Sequence, residues 1–265
     1  LMSFKHSARR ALVIVGRVIA LLTVAVLLVY YSDHGLEENN SKNTSNTSSK
    51  QAKTSSSNVS SNVISKGERG AGSKKIEDYA DARKVFWRKL YPGEFTTLYC
   101  GQRFDAMPSR GVNIEHVFPM GWATHSIGCG TRDQCRSNAL FNQIESDLHN
   151  LYPSRSDVNT ARLSFRFANI AGEAREFGAD CDFEVSKRQR AVEPRPEVRG
   201  DIARSMFYMV DRYPQANLEI FSKQQRLLKE WHRADPPSAE ERMRNDAIER
   251  LQGNRNPYID APNAL

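Results

Sequence analysis

Hydrophobic residues recur every three to four positions in five segments of the chain, a spacing that predicts amphipathic helices. In one of these segments Ile202, Met206 and Val210 fall on a single face. The predicted helices cover 76–90, 138–147, 197–213, 222–234 and 239–252. Ser238 is expected to cap the last helix and Gly253 to end it, because these residue types are favoured at helix N-caps and just after helix C-termini.

Three short segments predict strands, because aromatic and β-branched residues are concentrated in them. They are 95–100, 112–118 and 149–154. Pro153 is expected to end the third strand, since proline donates no hydrogen bond to a ladder. Ser156 is expected to cap a helix that begins at Asp157. Helices outnumber strands and the two types do not alternate, which predicts an α+β fold.

The N-terminal part of the chain differs from the rest in composition. Residues 11–31 form an apolar run interrupted by Arg17 and preceded by basic residues, which is typical of a membrane span and of a secretory signal. No clear small-residue cleavage site follows, so 1–35 is interpreted as a signal anchor in the inner membrane, with a cleaved signal peptide as the alternative. The basic flank predicts that the remainder is exported, to the periplasm or the medium. Residues 36–74 are rich in Ser and Asn and predict a disordered tether, leaving 75–265 as the folded domain.

Charge is unevenly distributed along the chain. The net charge is +7, but the first 70 residues contain nine basic and four acidic residues, so the remainder carries only +2. Net charge alone is therefore no argument for nucleic-acid binding. Five arginines close in sequence could provide a local positive surface or a solvated face balanced by acids: Arg132, Arg136, Arg155, Arg162 and Arg166.

The four cysteines, Cys100, Cys129, Cys135 and Cys181, all lie in the exported part. An even count in an oxidising compartment favours disulfides, and the absence of a C-x-x-C pair argues against a zinc ribbon. Three pairings are possible. A Cys129–Cys135 bridge is favoured because it closes a short loop, which leaves Cys100 to pair with Cys181; free buried thiols are the alternative.

Residues suited to metal-assisted hydrolysis are dense between positions 113 and 162. They fall in three motifs, NIEHVFP at 113–119, SDLHNLYPS at 146–154 and DVNTAR at 157–162. Their spacing predicts two strands and the start of a helix, with a loop and one helix between the strands. Such a frame allows a histidine, a carboxylate and an asparagine to converge.

These motifs resemble those of the endonuclease I family of bacterial periplasmic and secreted nucleases. The similar segments are E-H-V-F-P at 115–119, G-T-R at 130–132 inside a cysteine-bracketed loop, D-L-H-N-L-Y-P at 147–153 and V-N-T-A-R at 158–162. The resemblance extends over about residues 76–259. It implies a ββα-metal (His-Me finger) nuclease core with several surrounding helices.

The resemblance also implies roles for individual residues. His116 would be the general base, Glu115 and Asn159 would bind a divalent metal, and Arg132 would contact the scissile phosphate. The implied metal is Mg²⁺, with Mn²⁺ or Ca²⁺ as substitutes. The motif residues Asp147, His149 and Asn150 are expected to orient the two strands and the base without binding metal.

Elementary chemistry is consistent with these roles and raises one difficulty. Magnesium prefers oxygen ligands and keeps most of its waters, so one carboxylate and one amide oxygen suffice. Imidazole titrates near neutral pH and can accept a proton from water. Adjacent residues of a regular strand point to opposite faces, so a bulge or a strand end must bring Glu115 and His116 to one site.

Two functions of different classes remain open from the sequence. The first is a sequence-nonspecific, metal-dependent endonuclease, a monomer acting through the phosphate backbone on DNA, with RNA as the alternative substrate. The second is a catalytically silent surface protein that binds nucleic acid or another anionic polymer. Residues 11–31, if retained, would add the membrane as a partner.

Overall fold

The computed structural model describes residues 76–106, 110–172 and 174–265. The predicted membrane anchor and the predicted tether therefore lie outside the described residues. Within the part that is described, no helix combines the length and apolar character needed to cross a membrane.

The amphipathic segments form helices close to their predicted bounds. The α-helices are α1 (Tyr79–Val85), α2 (Met120–Ile127), α3 (Ala139–Glu145), α4 (Ser156–Arg162), α5 (Arg199–Arg212), α6 (Ser222–Ala234), α7 (Ala239–Gln252) and α8 (Pro257–Asp260). A π-helical turn, Phe86–Leu90, extends α1. Ser238 accepts a hydrogen bond from the Glu241 amide at 3.1 Å and Gly253 follows α7 with φ +90°, which confirms both predicted ends.

Three small sheets accompany the helices. Their strands are β1 (Phe95–Thr96), β2 (Arg103–Phe104), β3 (Val112–His116), β4 (Leu151–Arg155), β5 (Arg166–Phe167), β6 (Phe183–Ser186) and β7 (Ala191–Pro194). β1 pairs with β2 and β3 with β4, both antiparallel, while β7 lies between parallel β5 and antiparallel β6. The predicted α+β class is confirmed, although β2, β5, β6 and β7 were not predicted. The prediction of a loop after β3 is wrong over Met120–Ile127, which forms α2, and α8 was also not predicted.

Two local predictions around β4 are wrong. Pro153 lies inside the strand, paired with Ile114. Its carbonyl accepts a hydrogen bond from the Leu98 amide at 2.8 Å, on the side away from β3, so the missing N–H removes no ladder bond. Ser156 is the first residue of α4 rather than its cap, and the capping position falls on Arg155 without a side-chain hydrogen bond.

The β3–β4 pair lies between two hydrophobic clusters. The smaller cluster joins Ile114 and Leu151 of the pair to Phe86 beside α1 and Ile248 of α7. The larger cluster includes Tyr152 and the buried face of α5. Packing on both sides fixes the strand pair, and with it the residues at the end of β3.

Candidate active site

The β3–β4 pair and α4 form a compact frame. The two strands are paired in register from Val112 opposite Arg155 to His116 opposite Leu151. α4 follows β4 directly and packs against both strands. This order of strand, strand and helix brings together three motifs that are separated along the chain.

The four residues with predicted catalytic or metal-binding roles lie around one depression of about 210 Å³. Glu115, His116, Arg132 and Asn159 all line it, beside Arg162. Strand pairing is regular up to His116 and β3 ends there. Of the two ways to bring Glu115 and His116 to one site, the structure therefore has the strand end and not a bulge.

Glu115 is buried, with 2% of its surface exposed. Its Oε1 accepts a hydrogen bond from the Tyr99 hydroxyl at 2.7 Å and lies 3.3 Å from Nε of Arg162. Burial raises the pKa of this carboxyl above its ordinary value, while Arg162 and Tyr99 oppose the rise. Both partners approach Oε1, and the carboxylate also accepts a hydrogen bond from the His116 backbone amide. A carboxylate accepts about four hydrogen bonds, so capacity remains for another ligand.

Arg162 and Tyr99 are site residues whose contacts the sequence interpretation missed. Arg162 is 1% exposed, so it forms no part of a positive surface. Its two Nη groups donate to the carbonyls of Val117 at 2.6 Å and Leu163 at 3.0 Å. It therefore places a cation behind Glu115 and holds the chain that follows β3. The sequence feature that could have identified Arg162 is its position three residues after Asn159, which places both side chains on the same side of a helix.

His116 is buried with one ring nitrogen bonded. Its Nε2 lies 2.9 Å from the backbone carbonyl oxygen of Glu145, and its ring lies 5.0 Å from the Tyr79 ring. A carbonyl oxygen only accepts, so Nε2 carries the hydrogen and Nδ1 is the basic nitrogen. Burial, together with the charge of Arg132, lowers the pKa of His116 to about 3.

Arg132 lies on the loop that the Cys129–Cys135 disulfide closes. Its Nε donates to the carboxylate of Glu145, and its guanidinium lies 5.1 Å from the centre of the Tyr79 ring. About half of the side chain is exposed. Glu145 is bonded to Nε and the Tyr79 side chain also hydrogen-bonds the guanidinium, so the remaining Nη hydrogens are those left for an anion.

The other surface arginines are mostly balanced by acids. Arg136 forms an ion pair with Asp133 and Arg155 with Asp157. Together with the buried Arg162, these pairs favour the balanced-face alternative over a continuous positive surface.

Asn159 is oriented by β3. Its Nδ2 donates to the Ile114 carbonyl at 3.1 Å and to Oδ1 of Asn113 at 2.9 Å. The Ile114 carbonyl oxygen can only accept a hydrogen bond, so the side-chain atom of Asn159 that faces it must be the amide nitrogen. The side-chain oxygen of Asn159 is thus the atom left for a ligand.

The segment 147–150 acts as a support, and its three predicted residues differ in what they hold. Asn150 accepts from the Phe118 amide at 2.6 Å and donates to the Phe118 carbonyl at 3.1 Å, fixing the chain just after His116. Asp147 accepts hydrogen bonds from Tyr208, Tyr213, Gln252 and the His149 amide. Nε2 of His149 lies 3.1 Å from the Asn254 carbonyl. Asp147 and His149 therefore connect this segment to later parts of the chain.

The cysteines are paired as favoured from the sequence. Cys129 is bonded to Cys135, and Cys100 to Cys181. The second bridge links the segment after Tyr99 to the chain just before β6.

The donor set around the depression suits a hard cation. Among the residues described, no three His, Cys, Asp or Glu side chains are grouped as a metal site. The atoms with remaining capacity are instead the carboxylate of Glu115 and Oδ1 of Asn159, oxygens of the kind magnesium binds while keeping most of its waters. The residues present thus fit the implied metal.

Comparisons with known proteins support the resemblance. Residues 39–263 match the family model described as Endonuclease I. A periplasmic deoxyribonuclease of Aeromonas hydrophila is 34% identical over 196 residues, which cover 65% of this chain and 81% of that protein. An extracellular deoxyribonuclease of the same organism is 32% identical over 203 residues, 68% of this chain and 86% of the relative. An extracellular ribonuclease of Bacillus subtilis is 38% identical over 133 residues, 44% of each chain. The chain belongs to the endonuclease I family.

Proposed function

We propose that the chain is a metal-dependent endonuclease that hydrolyses phosphodiester bonds of DNA outside the cytoplasm, on a ββα-metal (His-Me finger) core. The observation that carries this proposal is the convergence of His116, Glu115, Asn159 and Arg132 on one depression. Phosphodiester hydrolysis needs an activated water and neutralisation of the charge that develops on the phosphate. These side chains supply the groups for both.

His116 acts as the general base through Nδ1. The Glu145 carbonyl holds the hydrogen on Nε2, which leaves Nδ1 as the nitrogen that can accept a proton from water. The lowered pKa keeps the imidazole neutral at ordinary pH, and only the neutral ring can accept a proton. The Nε2–H···O contact then stabilises the imidazolium formed when the water is deprotonated.

Glu115 and Asn159 would hold the divalent metal through the carboxylate and Oδ1. Mg²⁺ is the expected ion, with Mn²⁺ or Ca²⁺ as substitutes. When bound, the metal supplies positive charge at the scissile phosphate. Tyr99 and Arg162 keep the Glu115 carboxylate oriented from behind.

Arg132 contacts the phosphate with the remaining Nη hydrogens of its guanidinium. A guanidinium can bind two oxygens at once, and here Glu145 and the Tyr79 ring hold it in place. Positive charge on this side stabilises the pentacoordinate phosphorus species as negative charge builds up.

DNA is proposed as the substrate because the relatives named deoxyribonucleases align over most of their length, whereas the relative named ribonuclease aligns over less than half. Phosphate contacts alone predict little sequence preference. Names that include periplasmic and extracellular support export, and two disulfides suit an oxidising compartment. Residues 11–31 would serve as signal or inner-membrane anchor of a monomer.

The test is plasmid nicking by wild type and by His116→Ala, with Mg²⁺ and with chelator. A positioned general base contributes about 10²–10⁴-fold to the rate, so His116→Ala should cut at least about a hundredfold more slowly. His125→Ala, on the exposed side of α2, is the matched control and should cut as wild type does.

Each outcome of this test has a definite meaning. A folded His116→Ala protein that cuts within severalfold of wild type would contradict the assignment of the base. Wild-type protein that binds DNA but cuts with none of Mg²⁺, Mn²⁺ and Ca²⁺ would instead support the catalytically silent surface protein. Parallel RNA substrates measure the preference between nucleic acids.

A further inference from the structure

A second depression, of about 320 Å³, adjoins the candidate active site. Ile114, Arg132 and Asn159 line both depressions, so they form the boundary between them. From this boundary the second depression extends to Arg83 of α1 and Trp87 of the π-helical turn. None of the three motifs includes Arg83 or Trp87.

The second depression is cationic. Among the described residues that line it, the only ionised side chains are Arg83 and Arg132, and there is no carboxylate. Arg132 is bonded to Glu145. Arg83 is exposed and forms no ion pair with a carboxylate in the described part of the chain. An unpaired guanidinium beside a phosphate-cleaving site is suited to a second phosphate.

Two aromatic side chains, Tyr79 and Trp87, also line the second depression. The Tyr79 ring centre lies 6.0 Å from the Arg83 guanidinium and 5.1 Å from that of Arg132, so one ring holds both cations. The Trp87 ring lies 4.7 Å from Phe86 and 5.5 Å from Phe95, contacts that fix the indole while part of it stays exposed. A fixed, partly exposed indole offers a nucleoside an apolar surface without selecting a base.

We infer that the second depression binds the nucleotide next to the scissile bond, with its phosphate on Arg83 and its nucleoside against Trp87; this inference rests on the proposed function. The alternation of a cation and a flat apolar surface matches the alternation of phosphate and nucleoside along a strand. Arg132, shared by both depressions, would lie between the scissile phosphate and its neighbour. The depression thus adds affinity and no base-edge contacts.

The experiment compares Arg83→Ala with Arg88→Ala and wild type. Arg88 is an exposed arginine that lines neither depression, so its loss removes the same charge from the same part of the chain. Affinity for a fluorescent 20-base-pair duplex is measured by anisotropy in chelator over a range of salt concentrations. KM for plasmid nicking with Mg²⁺ is measured in parallel.

Arg83→Ala should weaken duplex binding about tenfold and reduce the slope of log affinity against log salt by about one, the change expected for one lost phosphate contact. KM should rise by a similar factor and by more than kcat falls. Arg83→Lys should restore most of the salt slope. Arg88→Ala should change affinity less than twofold.

Equal effects of Arg83→Ala and Arg88→Ala, or an unchanged salt slope in Arg83→Ala, would overturn the inference. The binding measurement needs no turnover, so it also separates the two proposals. A wild-type protein that does not cut, but whose affinity depends on Arg83 as stated, would refute the nuclease while leaving the phosphate contact in place.

Discussion

Glu115 and Asp147 are both buried carboxylates, each with 2% of its surface exposed, yet their surroundings differ. Asp147 accepts four hydrogen bonds, two at each oxygen, from Tyr208, Tyr213, Gln252 and the His149 amide, all between 2.8 and 2.9 Å. Glu115 has three partners, Tyr99 and Arg162 at Oε1 and the His116 backbone amide. A carboxylate accepts about four hydrogen bonds, so Asp147 is saturated and Glu115 is not.

Unused bonding capacity, rather than burial, therefore separates a candidate ligand from a structural acid. Burying a carboxylate without full compensation costs free energy. A folded protein tolerates that cost where a bound ligand supplies the interactions that the carboxylate lacks. Asp147 instead joins the segment after α3 to α5 and to the end of α7.

The largest expected effect is on Glu115. Glu115→Gln keeps the size of the side chain and removes its charge, so nicking with Mg²⁺ should slow by roughly 10³-fold, as when a group that stabilises developing charge is lost. The midpoint of thermal unfolding should also fall, because the buried Arg162 cation loses its carboxylate partner, so rates are compared per folded molecule. Wild-type dependence on Mg²⁺ in this variant would show that Glu115 is not a ligand, and Asn159→Ala should give a smaller loss because its oxygen is neutral.

Asp147→Asn should lower stability without a comparable loss of activity. The amide would turn donors toward the donors that Asp147 now satisfies, so the free energy of unfolding should fall by about 3 kcal/mol. Urea denaturation measures this change. The activity of the molecules that remain folded should stay within severalfold of wild type, and a loss as large as that of Glu115→Gln would abolish the distinction between the two acids.

Acid should destabilise the fold through two buried imidazoles, His116 and His149, whose pKa values are both lowered; His149 is the one outside the candidate site. Burial lowers the pKa of this imidazole to about 4, below its value of about 6.5 in an unfolded chain. Between these values the unfolded chain binds a proton that the folded chain does not, so stability is full above pH 6.5 and falls as the pH is lowered toward 4. His149→Gln should lessen this fall by about 3 kcal/mol, with His125→Gln, at an exposed position, as the matched control.

The smallest effect should come from the short disulfide. Cys129→Ser with Cys135→Ser opens a bridge between residues six positions apart, which contributes about 2 kcal/mol in the loop-closure model. Cleavage should fall severalfold because the loop carries Arg132. Removing Cys100–Cys181, 81 positions apart, should cost more stability and less activity per folded molecule. The reverse order would show that the loop does not position Arg132.

An element of this fold could be predicted from the sequence where the residues that determine it lie within the element itself. Helix α7 matches its predicted range because its cap, its apolar spacing and its terminal glycine all lie within the segment. β6 and β7 were missed because each has only four residues, too few for a period to emerge. The prediction that Pro153 ends β4 was wrong because the edge of β4 away from β3 bonds to Leu98, which is distant in sequence, and no local pattern shows this contact.

The residues of the candidate site also divide into those that local motifs predict and those that only tertiary packing brings to the site. Glu115, His116, Arg132 and Asn159 could be proposed because they occur in motifs of adjacent residues, and the structure brings them together. Tyr79 contacts both His116 and Arg132, yet in sequence it is an ordinary position of an amphipathic helix. Its role depends on tertiary packing of α1, which no local pattern records.

The contacts between the end of α7 and the segment after α3 also bear on when the site is completed during synthesis. Gln252 bonds Asp147 at 2.8 Å and the Leu148 amide at 2.7 Å, and Asn254 lies opposite His149, all more than a hundred positions later in the chain. A chain emerges from the ribosome N-terminus first. The reactive residues therefore appear well before the contacts that secure the segment beside His116. We expect an unfinished chain, which already contains the four candidate site residues, to be inactive until residues 252–254 have been made.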